Sequence, residues 1–260
     1  MRWIGLRTLI SRECGVIVRF WSITLAPPVI MTTLYFMIFG RILGPRIGSS
    51  GGIDYIQFIT PGLIVMCVVP FSYSHTATGF LGARIYRFIE EVLVAPLPGW
   101  MIMTAYVIGG TLRGLLVGAA VILTSLFFAH LDVQSIWISV SAMLLAAVVS
   151  ALGGFITALL VKNFEQVATI QISILVPLTY TGGVFNSLSD LPEWAQIFSF
   201  VNPVFYAVNA FRYGVLGRAD VPVGIAFFAV SGCGVVLLLV ALALMSRGSG
   251  RRELTLFEPD

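Results

Sequence analysis

Residues Gly182 to Gly217 read GGVFNSLSDLPEWAQIFSFVNPVFYAVNAFRYGVLG and lie between two strongly apolar stretches. This segment is too rich in aromatic, proline and asparagine residues for a plain loop, and too interrupted for one spanning helix. Irregular backbone that faces lipid lacks hydrogen-bond partners at membrane depth, so the segment must dip, turn back and lie against protein or at the interface. The sequence therefore predicts a re-entrant helical hairpin between two transmembrane helices.

The composition indicates a membrane protein. Of the 260 residues, 58% are hydrophobic and only 10% are charged, whereas a soluble domain carries about a quarter charged residues. The mean hydropathy is +0.98. The formal net charge of +3 is too small to suggest nucleic acid. The three cysteines, Cys14, Cys67 and Cys233, do not predict a disulfide framework, and no residue pattern predicts a metal site.

Runs of about 20 apolar residues, the length that crosses a hydrocarbon core, predict six transmembrane helices. They are Trp21–Phe39, Ile56–Leu81, Met101–Phe128, Ile136–Val161, Val167–Phe185 and Val221–Met245. With the N-terminus inside, ten basic residues are cytoplasmic and four lie outside, in agreement with the positive-inside rule. We therefore expect both termini in the cytoplasm. The chain reads as a single domain over 1–260, with the six-span core at 20–245 and a cytoplasmic tail at 246–260.

Residues 1–19 are too charged to cross the membrane but show a helical pattern. One face carries the apolar side chains, namely Trp3, Leu6, Ile10, Cys14 and Ile17. Such a face is typical of a helix that lies in the interface plane. Glu13 and Arg2 interrupt it. Two interpretations stay open: a simple anchor, or a lever that contacts a cytoplasmic partner.

The cytoplasmic segment between the second and third predicted helices mixes charged and apolar side chains. Its candidate contact residues are Arg84, Arg87, Phe88, Glu90, Glu91 and Leu93. Pro96 and Pro98 end the short helix, because proline removes a donor and clashes with the preceding turn. The pattern predicts a rigid docking element at the inner surface of the membrane. A solvated connector would explain the charges but not the apolar Phe88 and Leu93.

The third predicted helix carries three glycines at four-residue spacing, Gly110, Gly114 and Gly118. A row of small residues on one face predicts close helix packing. Arg113 lies beside this row. An arginine inside a span pairs, snorkels or faces a polar cavity, so it has either a structural role or contact with an anionic substrate.

The remaining candidate pathway residues lie in the second predicted helix and the outer segment. Tyr73 and His75 stand among several hydroxyl residues, so we expect them to line a cavity. A satisfied histidine is favoured over a proton relay, because the same helix holds no second ionisable partner. Phe185, Phe205 and Tyr206 belong either to an interfacial aromatic belt or to an outer gate that closes over an amphiphilic substrate.

The order of several short motifs resembles the ABC-2 type transporter permeases. The motifs are PGLI at 61–64, FIEEVLVAPLP at 88–98, PLTYTGGVF at 177–185, LPEW at 191–194 and NP at 202–203. The chain is most similar to the YadH-type inner-membrane permeases of Gram-negative bacteria, and more distantly similar to nodulation-factor and O-antigen export permeases. The resemblance covers nearly the whole chain.

This resemblance implies the all-α membrane half of an exporter in the bacterial inner membrane. Two copies would pair as a homodimer, and each would dock a separate ATP-binding cassette subunit. The family's connecting helix maps onto residues 1–19, its coupling helix onto about 86–93, and its re-entrant helices onto about 188–213. The chain itself has no G-x-x-x-x-G-K-[ST] segment. We therefore expect no catalytic residue or cofactor here, with ATP and Mg bound by the partner.

The function expected from these observations is export of a lipid-like, glycolipid or hydrophobic compound. Export of a polysaccharide or lipo-oligosaccharide is the alternative within the same class. An ion-coupled secondary transporter would need carboxylates inside the membrane. The acidic residues outside the coupling segment fall mostly in predicted loops or at the ends of spans, namely Asp54, Asp132, Asp190, Glu193 and Asp220. No motif of an intramembrane enzyme is present.

Overall fold

The computed structural model describes residues 2–44, 49–50, 53–86, 98–129, 131, 133–188 and 191–246. The helices are α1 (Arg2–Arg19), α2 (Trp21–Tyr35), α3 (Tyr55–Ile85), α4 (Gly99–Ser125), α5 (Ile136–Leu160), α6 (Phe164–Ile170), α7 (Val176–Tyr180), α8 (Glu193–Val201), α9 (Pro203–Leu216) and α10 (Val223–Ser246). A π-helical stretch, Phe36–Leu43, continues α2, and another, Gln171–Leu175, joins α6 to α7. Before α3, two strands of two residues each pair in antiparallel fashion: Ser49–Ser50 and Ile53–Asp54. The predicted all-helical class is confirmed.

Among the described residues, five helices are long and apolar enough to cross a membrane. They are Trp21–Gly40, Tyr55–Ile85, Gly99–Ser125, Ile136–Leu160 and Val223–Ser246, and each matches a predicted span. The sixth, predicted at Val167–Phe185, is instead the interrupted run from α6 to α7. That run ends at Tyr180, because the chain leaves the helix at a turn in which Gly183 adopts a φ of 72°. The six-span arrangement stays a prediction.

The centre of the fold is α3, which packs against both α4 and α5. The predicted glycine row lies at the α3–α4 contact. A Cβ atom on Gly110 would lie 2.7 Å from the carbonyl oxygen of Ser72, and one on Gly114 would lie 3.1 Å from that of Val68. The prediction of close packing is confirmed, since only glycine lets the α3 backbone approach so closely.

The first helix uses a face that differs from the predicted one. Its buried residues are Leu6, Leu9, Glu13 and Ile17, whereas Trp3 is 72% exposed. The predicted face was therefore correct for Leu6 and Ile17 and wrong for Trp3. Leu6 and Leu9 form a cluster with two residues from the first turns of α4, Met101 and Ala105. Helix α1 is thus packed against α4 within the protein.

Within the aromatic segment 182–217, the described residues form two short helices, α8 of 9 residues and α9 of 14. Both are shorter than the roughly 20 residues that a span requires. The break between them is held by Asn202. Its Oδ1 accepts a hydrogen bond from the backbone N–H of Val204 at 2.9 Å, and its Nδ2 donates to the carbonyl oxygen of Leu178 at 2.6 Å. The segment is therefore fastened to the end of α7.

Candidate functional site

A chain of polar contacts, which we call the polar cluster, joins α1 to α3 and α4. Nη1 of Arg113 lies 3.2 Å from Nδ1 of His75, and Nε2 of His75 lies 3.3 Å from Oε2 of Glu13. Oε1 of Glu13 accepts a hydrogen bond from Nη2 of Arg12 at 2.9 Å. The same Nη2 donates to the hydroxyl of Tyr106 at 2.6 Å. These contacts bring together two predicted pathway residues, Arg113 and His75.

The donors and acceptors assign the protonation of His75. A guanidinium group only donates hydrogen bonds, so Nδ1 of His75 must accept from Arg113. The proton of a neutral ring is then on Nε2, which faces Glu13, at ion-pair distance although without the alignment of a hydrogen bond. His75 and Glu13 are 4% and 5% exposed. The imidazole therefore bridges a cation and an anion within the core.

Glu13 is ionised in this setting. Burial raises the pKa of its carboxyl group, but the contacts with His75 and Arg12 outweigh that effect and hold the pKa below its usual value. With Arg12 and Arg113 charged and His75 neutral, the cluster carries an excess of one positive charge. Nε of Arg113 is buried and has no hydrogen-bond partner among the described residues.

Sequence reasoning missed Glu13 as a functional residue. The predicted helix that carries His75 offers no ionisable partner of its own, and the partner comes from α1. One signal was present, because Glu13 interrupts the apolar face of α1. A carboxylate at the centre of an otherwise apolar face needs a buried partner.

Arg84, a predicted coupling residue, is engaged within the chain. Its Nη1 donates to backbone carbonyl oxygens at the end of α5, those of Ala158, of Leu159 at 3.3 Å and of Val161 at 3.4 Å. A cation at a helix C-terminus satisfies carbonyl groups that have no partner inside the helix. Arg84 thus joins the end of α3 to α5. The other coupling residues, Arg87, Phe88, Glu90, Glu91 and Leu93, lie outside the described residues.

Tyr73 belongs to a different part of the core from His75, although the two share a helix. Its hydroxyl donates to Oγ1 of Thr157 at 3.0 Å, and its ring lines an apolar cavity of about 300 Å³ between α3, α5, α7, α9 and α10. Two residues along a helix correspond to about 200° of rotation. The structure therefore does not unite Tyr73 with the polar cluster in one site.

The three aromatic candidates for an outer gate have different environments. Phe205 is completely buried, and its ring lies 5.4 Å from that of Tyr206. The hydroxyl of Tyr206 donates to the carbonyl oxygen of Phe200 at 2.8 Å. Phe185 packs its ring 4.9 Å from that of Phe39 and lines a second cavity, of about 490 Å³, beside α8. Phe205 is therefore part of the core and not of an exposed belt.

A second buried ion pair holds the same region together. Arg212 is 1% exposed, and its Nη1 lies 3.2 Å from Oδ2 of Asp220. Its Nη2 donates to the carbonyl oxygen of Gly183, and its guanidinium carbon lies 4.1 Å from the ring centre of Phe58. Arg212, one of the four basic residues predicted to lie outside, thus connects α9 to α3, to the turn after α7 and to the loop before α10.

Comparison with known proteins identifies the family. The family model described as ABC-2 type transporter matches residues 5–216, which run from α1 to the end of α9. The chain belongs to the ABC-2 type transporter family. The resemblance seen in the sequence motifs is therefore confirmed.

Several curated relatives are similar over most of their length. Inner membrane transport permease YadH of Escherichia coli (strain K12) is 43% identical over 252 residues, which cover 96% of this chain and 98% of the relative. Nodulation protein J of Sinorhizobium fredii is 24% identical over 86% of this chain and 84% of its own. Putative transport permease ycf38 of Cyanophora paradoxa is 24% identical over 74% and 67%. The chain is thus an ABC-2 transport permease with several membrane-spanning helices.

Proposed function

We propose that this chain is the membrane subunit of an ATP-driven exporter that moves a lipid-like, glycolipid or other hydrophobic compound across the bacterial inner membrane. The observation that carries this proposal is the ABC-2 match over residues 5–216. ATP and Mg would be bound by a separate ATPase subunit, because the chain has no phosphate-binding glycine loop. Both termini would then lie on the cytoplasmic side, where that subunit is found.

The polar cluster supports a mechanical role for α1. It links Arg12 and Glu13 of α1 to α3 through His75 and to α4 through Tyr106, and Arg84 links the end of α3 to α5. A push on the segment between α3 and α4 would therefore reach three long helices. Packed helices shift between discrete arrangements rather than deform continuously, so such a push would open or close a path.

Pairing of two copies fits the exposed surface of α2. Only 22% of its spanning window is buried within the chain, and it exposes large apolar side chains such as Ile23, Ile30 and Met31. Such a surface must face either lipid or protein. We propose that part of it faces the second copy in a homodimer, with the transported compound moving between the copies.

Specific residues have roles in this proposal. Arg113 would contact an anionic head group, because the cluster holds more positive than negative charge and Nε of Arg113 has no partner among the described residues. Phe185, which lines the cavity beside α8, and Tyr206 would form the outer gate. Phe205, being buried, would support the gate from behind.

A second candidate is export of a polysaccharide or lipo-oligosaccharide. Its support is the distant similarity to Nodulation protein J of two rhizobia, at 24% and 22% identity. Mass spectrometry of the lipids and glycolipids that co-purify with the complex would separate the two candidates. A polysaccharide or a lipo-oligosaccharide that is retained by wild type and lost in Arg113→Gln would favour the second, and a simple lipid or glycolipid would favour the first.

An ion-coupled secondary transporter is the candidate from another class. The observation in its favour is the carboxylate of Glu13 beside His75 within the core, since proton relays use such pairs. Reconstitution decides between the classes. Vesicles that contain this chain and its ATPase subunit should transport only with ATP, and vesicles with this chain alone should not respond to a proton gradient. Gradient-driven transport without the ATPase would refute the proposal.

A further inference from the structure

The apolar cavity beside Tyr73 extends along α5. Along α5 it is lined by one stripe of residues, Ala146, Val149, Ser150, Gly153 and Thr157. Eleven residues separate the first from the last, which corresponds to about 16 Å at 1.5 Å per residue. Most of these side chains are small, and the cavity volume of about 300 Å³ is the space that they leave free.

The polar groups of this lining are already satisfied. The hydroxyl of Tyr73 donates to Thr157, whose own hydroxyl donates to the carbonyl oxygen of Gly153 at 3.0 Å. The hydroxyl of Ser150 donates to the carbonyl oxygen of Ala146 at 2.7 Å. A buried water needs two to four polar partners, and each hydroxyl group of this lining already donates within the chain. The lining therefore favours an apolar occupant.

The cavity borders an exposed apolar surface of the chain. One side is formed by α10 and the other by the run from α6 to α7, and both expose apolar side chains nearby: Ile174 is 56% exposed and Val236 is 59% exposed. Ile174 and Leu175, which line the cavity, belong to the π-helical turn Gln171–Leu175. Turns of this kind are rare and frequently occur at functional sites.

We propose that this cavity binds a single acyl chain of a membrane phospholipid, which inserts from the side between α10 and the run from α6 to α7. The lengths agree. Half of a hydrocarbon core of about 30 Å is about 15 Å, which is the depth of one leaflet, and the cavity extends about 16 Å along α5. This inference requires only that the chain is embedded in a bilayer and does not depend on export.

Photolabelling tests the site directly. The full-length protein is reconstituted without an ATPase subunit in vesicles of phosphatidylethanolamine and phosphatidylglycerol. A trace of phosphatidylethanolamine with a diazirine in one acyl chain is added, and the labelled peptides are mapped by mass spectrometry. Label is expected to concentrate on residues 170–178 and 230–237. Label spread evenly over exposed positions such as Val140 and Leu144 would overturn the proposal.

Two variants fill the cavity, and one control does not. Ser150→Leu places a larger side chain in the stripe. Ser141→Leu makes the same change on the exposed face of α5, where the hydroxyl also donates to the carbonyl oxygen four residues earlier. Gly153→Leu is a second filling variant, because a Cβ there meets only the ring of Tyr73, at 3.9 Å.

Labelling of the two peptides should fall roughly tenfold in the filled variants, which corresponds to a loss of about 1.4 kcal/mol in acyl-chain binding, and should stay at the wild-type level in Ser141→Leu. Thermal unfolding measures whether each variant is folded. If Ser150→Leu does not fold, Gly153→Leu takes its place as the filling variant. Wild-type labelling in a folded filled variant would refute the site. Since no transport is measured, neither result bears on the export proposal.

Discussion

Oε2 of Glu13 lies 3.3 Å from Nε2 of His75, so a helix outside the predicted spans supplies a carboxylate to a histidine buried within one. Both side chains are almost completely inaccessible. Loss of either partner would leave a buried polar group without its contact, which costs more than the intact pair contributes. The first helix is therefore part of the core, and its attachment can be measured.

Replacement of Glu13 by Ala should loosen α1 from α3 and α4. The variant removes the carboxylate that faces His75 and one of the two acceptors of Arg12, so we expect a loss of about 1–3 kcal/mol in the free energy of unfolding. Denaturation of the purified protein measures it. Ser11→Ala, an exposed change in the same helix, is the control, and equal stability of the two variants would contradict the prediction.

The contribution of Glu13 should depend on pH. Because its folded pKa lies below the ordinary value of 4.5, the carboxylate stabilises the fold fully above about pH 4.5, and this stabilisation is lost as the pH falls through the folded pKa. The groups that face it are Arg12, His75 and Tyr106. Wild type should exceed Glu13→Gln in stability at neutral pH, and the difference should shrink in acid. A difference that stays constant in acid would show that Glu13 does not titrate there.

The helical class and five of the spans could be predicted from the sequence, because a run of apolar residues of the right length is a local signal. The face of α1 was predicted only in part. The helical periodicity of apolar residues treats a charged side chain as an interruption of the buried face, and Glu13 is therefore predicted to be one. In the structure Glu13 lies at the centre of that face, because His75 pairs with it. A contact between α1 and α3 is not visible in a local pattern.

The end of the helix at Tyr180 shows a second limit. The stretch from Val167 to Phe185 is apolar enough to read as one helix, but Gly183, with a φ of 72°, allows the turn at which the backbone leaves it. The roles of Arg212 and Asp220 were equally hidden. Their contact depends on the turn at Gly217, which has a φ of 68° and returns the chain toward α9. The positive-inside rule predicts on which side of the membrane Arg212 lies. It does not predict which carboxylate pairs with this residue.

Asp220→Asn should destabilise the outer end of the protein. It removes the carboxylate that faces the buried guanidinium group of Arg212, and an uncompensated buried charge costs about 3–5 kcal/mol. Denaturation of the purified variant measures the loss. Asp54→Asn makes the same change at an exposed position. If the two variants unfold alike, the ion pair is not structural.

Two glycine substitutions should have opposite effects. Gly110→Ala places a methyl group 2.7 Å from the carbonyl oxygen of Ser72, so α3 and α4 must separate, at a cost of about 1–3 kcal/mol. Gly232→Ala in α10 meets no described atom within 4 Å, and alanine there should stabilise the helix by about 0.5–1 kcal/mol. Thermal unfolding of the pair measures both signs. Equal effects would mean that the glycine row is not a packing contact.

The double variant Glu90→Ala/Glu91→Ala should uncouple this chain from its ATPase subunit. The segment that carries both residues joins α3 to α4. Arg84 holds the end of α3 on α5, and Met101 at the start of α4 packs against α1, so force applied there would reach the core. Loss of even one charged hydrogen bond of about 1.5–3 kcal/mol weakens binding roughly tenfold or more. Co-purification of the ATPase subunit and its rate of ATP hydrolysis are the measurements. Glu165→Ala, an exposed change at the start of α6, should leave both at the wild-type level. If the double variant behaves like Glu165→Ala, the coupling contact lies elsewhere in the chain.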